Sequence, residues 1–192
     1  MNLIANPAPE LLSARTGTLA SEKDVALVPN ASHVVSGTGA GAAASADIVV
    51  NFTISGMASF GACVLSNGTA GGLGITINVD ADQTAKVAVG SCSDAMANNL
   101  AALHTKAGAN NVPLFEEQVV TLRILPDRSL ADFFVQGGRW SGTVAWLGKA
   151  PRVAADSNVL IWAGTAGIKA DIDVYGMGCG WTDPSYTTNP TM

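Results

Sequence analysis

The stretch Leu122-Arg123-Ile124-Leu125-Pro126-Asp127-Arg128-Ser129-Leu130-Ala131-Asp132-Phe133-Phe134-Val135-Gln136-Gly137-Gly138-Arg139 reads as part of an antiparallel sheet. Residues 119–125 are a strand-length run rich in Val, Leu and Ile. Pro126-Asp127 then turns the chain, because Pro presets φ and an Asp side chain bonds its own nearby backbone. Residues 130–135 return as the partner strand, and Gly137-Gly138 turns again into a strand over 140–146. Strands joined by turns this tight pair antiparallel.

The same punctuation continues outward. Upstream, residues 48–54 are a β-branched run that stops at Gly56. Residues 60–65 end at Asn67-Gly68, a strong hairpin signal, and further strands are expected at 73–79 and 85–89. Downstream, 159–162 and 168–175 complete the set. Residues 95–112 break the rhythm with good helix formers, so a short helix on a long loop is expected there, ended by Asn110-Asn111. Residues 37–45 are nearly all Gly and Ala, a loop without core-forming side chains. The expectation is an all-β, two-sheet antiparallel β-sandwich of the concanavalin-like or jelly-roll type over residues 21–181. Residues 1–20, with Pro7-Ala8-Pro9, are expected as a linker and 182–192 as a frayed tail. No repeat and no second domain is legible.

Composition agrees. The 192 residues include 21 Gly, and 13% are charged while 48% are hydrophobic, which favours an all-β domain over a helical one. The net charge is -5, and no basic stripe marks a nucleic-acid surface. No apolar run is long enough for a membrane-spanning helix. Residues 1–7 lack the basic and apolar regions of a signal peptide. Cys63, Cys92 and Cys179 are odd in number and scattered, so they read as structural thiols with at most one bridge. Their spacing with His33 and His104 fits no zinc pattern, and both His read as surface residues. Three N-glycosylation sequons begin at Asn30, Asn51 and Asn67. About two would arise by chance in a chain this rich in Ser and Thr.

The opening stretch resembles the C-terminal signature of glycoside hydrolase family 32, the invertases and fructanases, L-R-x-x-x-D-x-S-x-x-E-x-F followed by a Gly-rich turn. Leu122, Arg123, Asp127, Ser129 and Phe134 fall on that pattern, and Asp132 stands where the family has Glu. Ala46-Asp47-Ile48-Val49-Val50-Asn51-Phe52 resembles the family's opening sandwich strand. Cys92-Ser93-Asp94 resembles a stretch of plant members, whose upstream bridge partner has no clear counterpart here, since Cys63 falls in a predicted strand. Val174-Tyr175-Gly176-Met177 resembles the closing strand, and Pro9-Glu10-Leu11-Leu12 the family's linker. The likeness runs over residues 7–178. It implies a β-sandwich that follows a catalytic five-bladed β-propeller in cis, with this chain beginning at the junction.

The chemistry itself is not expected in this chain. Retaining glycosidases need two carboxylates about 5–5.5 Å apart. The family draws them from W-x-N-D-P-N-type and E-C motifs, with a third Asp in R-D-P, and none of these occurs here. The Glu residues are Glu10, Glu22, Glu116 and Glu117; Asp183-Pro184 lacks the preceding Arg. Asp127 and Ser129 read as turn stabilisers. Asp132 shares a strand face with Leu130 and Phe134, which calls for a partner such as Arg123 or Arg128. No G-x-S-x-G elbow and no nucleotide-binding glycine pattern is present, and no cofactor or metal is expected.

Two readings follow. In the first, the chain is a non-catalytic module that braces the propeller of an enzyme hydrolysing β-fructofuranosidic bonds in sucrose or fructans. A mean hydropathy of +0.30 favours it, and it calls for an exposed apolar patch on one sheet. The resemblance also allows a homodimer. In the second, it is a stand-alone carbohydrate-binding sandwich, with Trp140, Trp146 and Trp181 as sugar-stacking candidates. The plain reading of Trp140 and Trp146 is core packing, and Trp181 is the one expected at the surface.

Overall fold

A computed structural model of the chain describes residues 7, 9–67, 71–103, 111–127, 130–145 and 157–178. A 3-10 turn, Pro9–Ala14, leads into β1 (Arg15–Ala26) and β2 (Ala31–Val34). Then come β3 (Ala46–Thr53), β4 (Ala58–Ser66), β5 (Leu73–Val79) and β6 (Thr84–Ser91). A short helix α1 (Cys92–Met96) follows, then β7 (Asn111–Pro113), β8 (Val119–Asp127) and β9 (Leu130–Val135). The last strands are β10 (Trp140–Ala145), β11 (Asn158–Ala163) and β12 (Lys169–Met177).

The strands form two antiparallel sheets, one ordered β1-β12-β3-β8-β9-β10 and the other β11-β4-β5-β6-β7. Main chain at both ends of β2 bonds to β11, with Asn30 N–H on Ala163 O at 2.8 Å and Val35 N–H on Val159 O at 2.9 Å. The expected all-β sandwich is therefore what the chain forms. Strict alternation drives it. Ile48, Val50 and Phe52 of β3, Val120, Leu122 and Ile124 of β8, and Phe133 and Val135 of β9 all point inward and are buried. Phe60, Ile75, Ile77, Val87 and Ile161 meet them from the other sheet, and the Phe52 and Phe60 rings lie 4.5 Å apart. Burying each such side chain contributes on the order of 1.5–3 kcal/mol, and a one-residue slip would expose a whole row. That sets the register.

The smaller sheet is buried on both faces. Its outer side carries α1, whose Ser91 N-cap accepts the Asp94 N–H at 3.1 Å. Beneath α1, Cys63, Cys92, Leu160 and Trp162 form a second apolar cluster against Met96. The indole of Trp162 lies on Gly61, where an added Cβ would stand 2.7 Å from the ring and 2.0 Å from Ile75 O.

Three expectations are corrected. Residues 15–20 are not linker but the first half of β1, paired with β12 from Arg15↔Met177 onward. β1 and β2 escape a hydrophobicity reading because their side chains are mostly polar or exposed. Among the described residues the helix is Cys92–Met96, starting before the expected stretch, and Asn111 opens β7. Cys63 and Cys92 form a disulfide, so Cys63, for which no bridging role was legible in its strand, is the partner of Cys92. Trp146, Trp181, His104, Arg128, Ser129, Cys179 and the 182–192 tail lie outside the described residues.

Candidate functional site

Alternation divides the signature residues between two environments. Leu122 is fully buried in the core. Arg123, Asp132 and Phe134 point the other way, onto the half-buried outer face of the larger sheet. Asp127 ends β8 at the turn and is exposed.

The outer face is organised around Asp47 of β3. Its side chain is 0% exposed although it points away from the core, because two guanidinium groups lie over it. Arg123 Nε and Nη2 donate to Asp47 Oδ1 and Oδ2, both at 2.8 Å. Arg15 Nε and Nη2 donate to Oδ2 at 2.8 and 2.6 Å. The Arg15 guanidinium also stacks on Tyr175 of β12, 3.7 Å from the ring centre. Tyr175 is the cross-strand partner of Asp47. One carboxylate thus ties β1, β12, β3 and β8 together, and four charge-assisted bonds compensate its burial.

Arg123 is consequently not the partner of Asp132, as the sequence suggested. Asp132 accepts from Thr143 Oγ1 of β10, its cross-strand neighbour. A shallow cavity of about 430 Å³ is lined there by Asp132, Phe134, Ser141 and Thr143 among others. The sequence signal that marks Asp47 is an ionisable residue one position before a core-forming run. It was legible as part of a strand but not as the hub of a cluster.

A second polar cluster closes one end of the sandwich. Arg139 Nη1 and Nη2 hold Glu117 at 2.7 and 3.0 Å, and Gln136 Nε2 adds a bond at 2.5 Å. Arg139 also lies over Phe115, 5.3 Å from its centre. Next to it is a cavity of about 410 Å³ lined by Ser55, Gln83, Glu116, Glu117 and Gln118. Glu117 is an ion-pair partner, so the adjacent Glu116 and Glu117 do not present a free acid and base.

The bonds from Arg139 hold the Glu117 carboxyl below its usual range. Lys23 does the same for Asp173. For Glu22, burial acts to raise the pKa, but bonds from His33 and Ser36 outweigh it, and the net shift is downward. A depressed folded-state pKa contributes stability above the unfolded value, and that contribution is lost as pH falls through the folded value. The melting temperature is therefore expected to fall as pH drops from about 5 to about 3, and less steeply in Glu117→Gln. Thermal melts across that range would show it; a flat profile would contradict it.

The Trp candidates are only partly placed. Trp140 is 4% exposed, belongs to the main core and packs its ring against Gly142. The core reading of this residue holds, and it offers no face to a sugar.

No protein-family model matches the sequence, and no curated protein matches it. Solved structures do match. Fructan 1-exohydrolase IIa from Cichorium intybus aligns over 91% of this chain and 38% of its own, with TM-score 0.69 and 14% identity. Sucrose-6-phosphate hydrolase from Lactobacillus gasseri aligns over 91% and 31%, with TM-score 0.56 and 16% identity. Exo-inulinase from Aspergillus awamori aligns over 94% and 33%, with TM-score 0.56 and 16% identity. The chain thus spans about a third of the length of these enzymes, and at such identities the likeness is one of fold. In fold, this two-sheet β-sandwich is similar to a part of each of these enzymes.

Proposed function

We propose that the chain is the non-catalytic C-terminal β-sandwich module of a family 32 enzyme, bracing the propeller that hydrolyses β-fructofuranosidic bonds in sucrose or fructans. The observation that carries this reading is the match over 91% of this chain to only 38% of a fructan exohydrolase. The ordered sequence likeness around Arg123 and Asp127 supports it independently. The outer face of the larger sheet is the surface we assign to the contact. It is not the apolar patch that the sequence reading called for: Asp47, Arg123, Asp132 and Thr143 stand among Val49, Leu125 and Phe134. Such a mixture suits a contact between domains of one chain, which is more polar than an obligate interface. Rigidly paired arginines give it fixed donors.

An immunoblot of the source extract, probed with antibody to this chain, tests the proposal. A band well above 19.4 kDa that co-fractionates with sucrose- or fructan-hydrolysing activity is expected. A sole band near 19.4 kDa without that activity overturns the bracing role.

A further inference from the structure

The structure separates the three sequons, and we propose that Asn30 is a site of N-linked glycosylation while Asn51 is not. Asn30 lies in the exposed turn between β1 and β2, in the left-handed region with φ 60°. Its main-chain N–H is used, bonded to Ala163 O at 2.8 Å, so the turn is fixed. Its side-chain amide has no hydrogen-bond partner among the described residues, and neither has the hydroxyl of Ser32, which is exposed on β2. Both groups that a glycosyl transfer reads are therefore free at the surface. Val28, two residues before, is 66% exposed and gives the apolar face of a first sugar something to cover.

Asn51 differs in each respect. It stands mid-strand in β3, flanked in register by Asp171 of β12 and Thr121 of β8. Its Oδ1 accepts from Thr121 Oγ1 at 3.0 Å, and the residue is half-buried. A glycan on that amide would crowd Asp171 and Thr121, its cross-strand neighbours, where the residue is only half exposed. The sequon at Asn67 includes residues 68 and 69, which are outside the described residues, and nothing is assigned to it.

The disulfide supplies the second, independent observation. Cys63 and Cys92 are both fully buried, and their bridge must form before or as the cluster around Trp162 closes. That requires folding in an oxidising compartment, where sequons are modified in organisms that carry the machinery. The transfer joins Asn30 Nδ2 to the anomeric carbon of a lipid-pyrophosphate-linked oligosaccharide. A C–N bond forms, the sugar–phosphate C–O bond breaks, the lipid pyrophosphate leaves, and Nδ2 gives up one proton to a base of the transferase.

The test uses the protein isolated from its source, whatever its full length, so it does not depend on the bracing role. Enzymatic deglycosylation in heavy-oxygen water, followed by peptide mass spectrometry, should return Asn30 as labelled Asp and Asn51 as unmodified Asn. In secretion from a eukaryotic host, Asn30→Gln should lose one glycan's worth of mass and Asn51→Gln none. An unmodified Asn30 peptide, or label at Asn51, overturns the assignment.

Discussion

Replacing Asp47 by Ala is expected to destabilise the sandwich by about 3 kcal/mol, a fall in melting temperature of roughly 6–12 °C. The carboxylate is fully buried between Arg15 and Arg123, whose side chains are 24% and 19% exposed. Without it, two guanidiniums face each other across an apolar gap, each losing two short bonds. Partial exposure lets water solvate them in part, which keeps the loss at the lower end for a broken buried pair. Asp47→Asn should lose less, since an amide oxygen still accepts, but it leaves the cations uncompensated. The decisive comparison is the triple variant Asp47→Leu, Arg15→Met, Arg123→Met. If Asp47 matters through charge compensation, removing all three charges should recover most of the stability. Equal losses in the single and triple variants would show that packing, not charge, is what Asp47 supplies. Chemical denaturation with parallel thermal melts resolves these differences. The signature position Arg123 is on this view a positioning residue for the sheet face rather than a sugar contact.

The core of the larger sheet was legible because its strands alternate cleanly. β3, β8, β9 and β12 each place aliphatic or aromatic residues at every second position, and the turn at 137–138 carries two positive-φ glycines. Pro126 and Asp127, expected as a turn, are instead the last residues of β8, paired with Ala131 and Leu130, so the alternation extends further than the turn signal suggested. β1 was not legible, because it lies at the sheet edge and shows polar residues on both faces, as in Ser21-Glu22-Lys23-Asp24. It is held by the pairing of its backbone with β12 and by Arg15, Ser21 and Lys23 bonded to residues far along the chain. Such contacts leave no periodic trace. The Asp47 hub and the pairing of Arg123 were hidden for the same reason. A strand's own pattern says which face a side chain takes, not which charge meets it from a strand 76 residues away. Cys63 was hidden by its position in a hydrophobic strand, where a buried thiol is ordinary.

Removing the bridge, as Cys63→Ala with Cys92→Ala, is expected to destabilise the chain by about 3–4 kcal/mol and lower its melting temperature by roughly 10 °C. The bonded residues are 29 apart, and closing a loop of that length in the unfolded chain accounts for most of this figure. The native state loses something as well. The bridge pins the start of α1 to β4, and α1 has five residues, too few to hold itself. Its remaining anchors include the Ser91 cap, the Cys92 N–H bond to Gly72 O, the packing of Met96 on the cluster of Leu160 and Trp162, and that of Ala95 against Ala88 and Leu103. Hydrogen exchange should therefore speed up first in α1 and residues 97–103, while β3 and β8 keep their protection until global unfolding. Reductant alone should act slowly, because both sulfur atoms are buried beside Met96 and Trp162 and become accessible when α1 lifts. A double variant that melts within about 2 °C of wild type would show that the unfolded chain is already constrained around this loop. Loss of protection throughout the larger sheet at the same rate as in α1 would show that the helix and both sheets open as one unit.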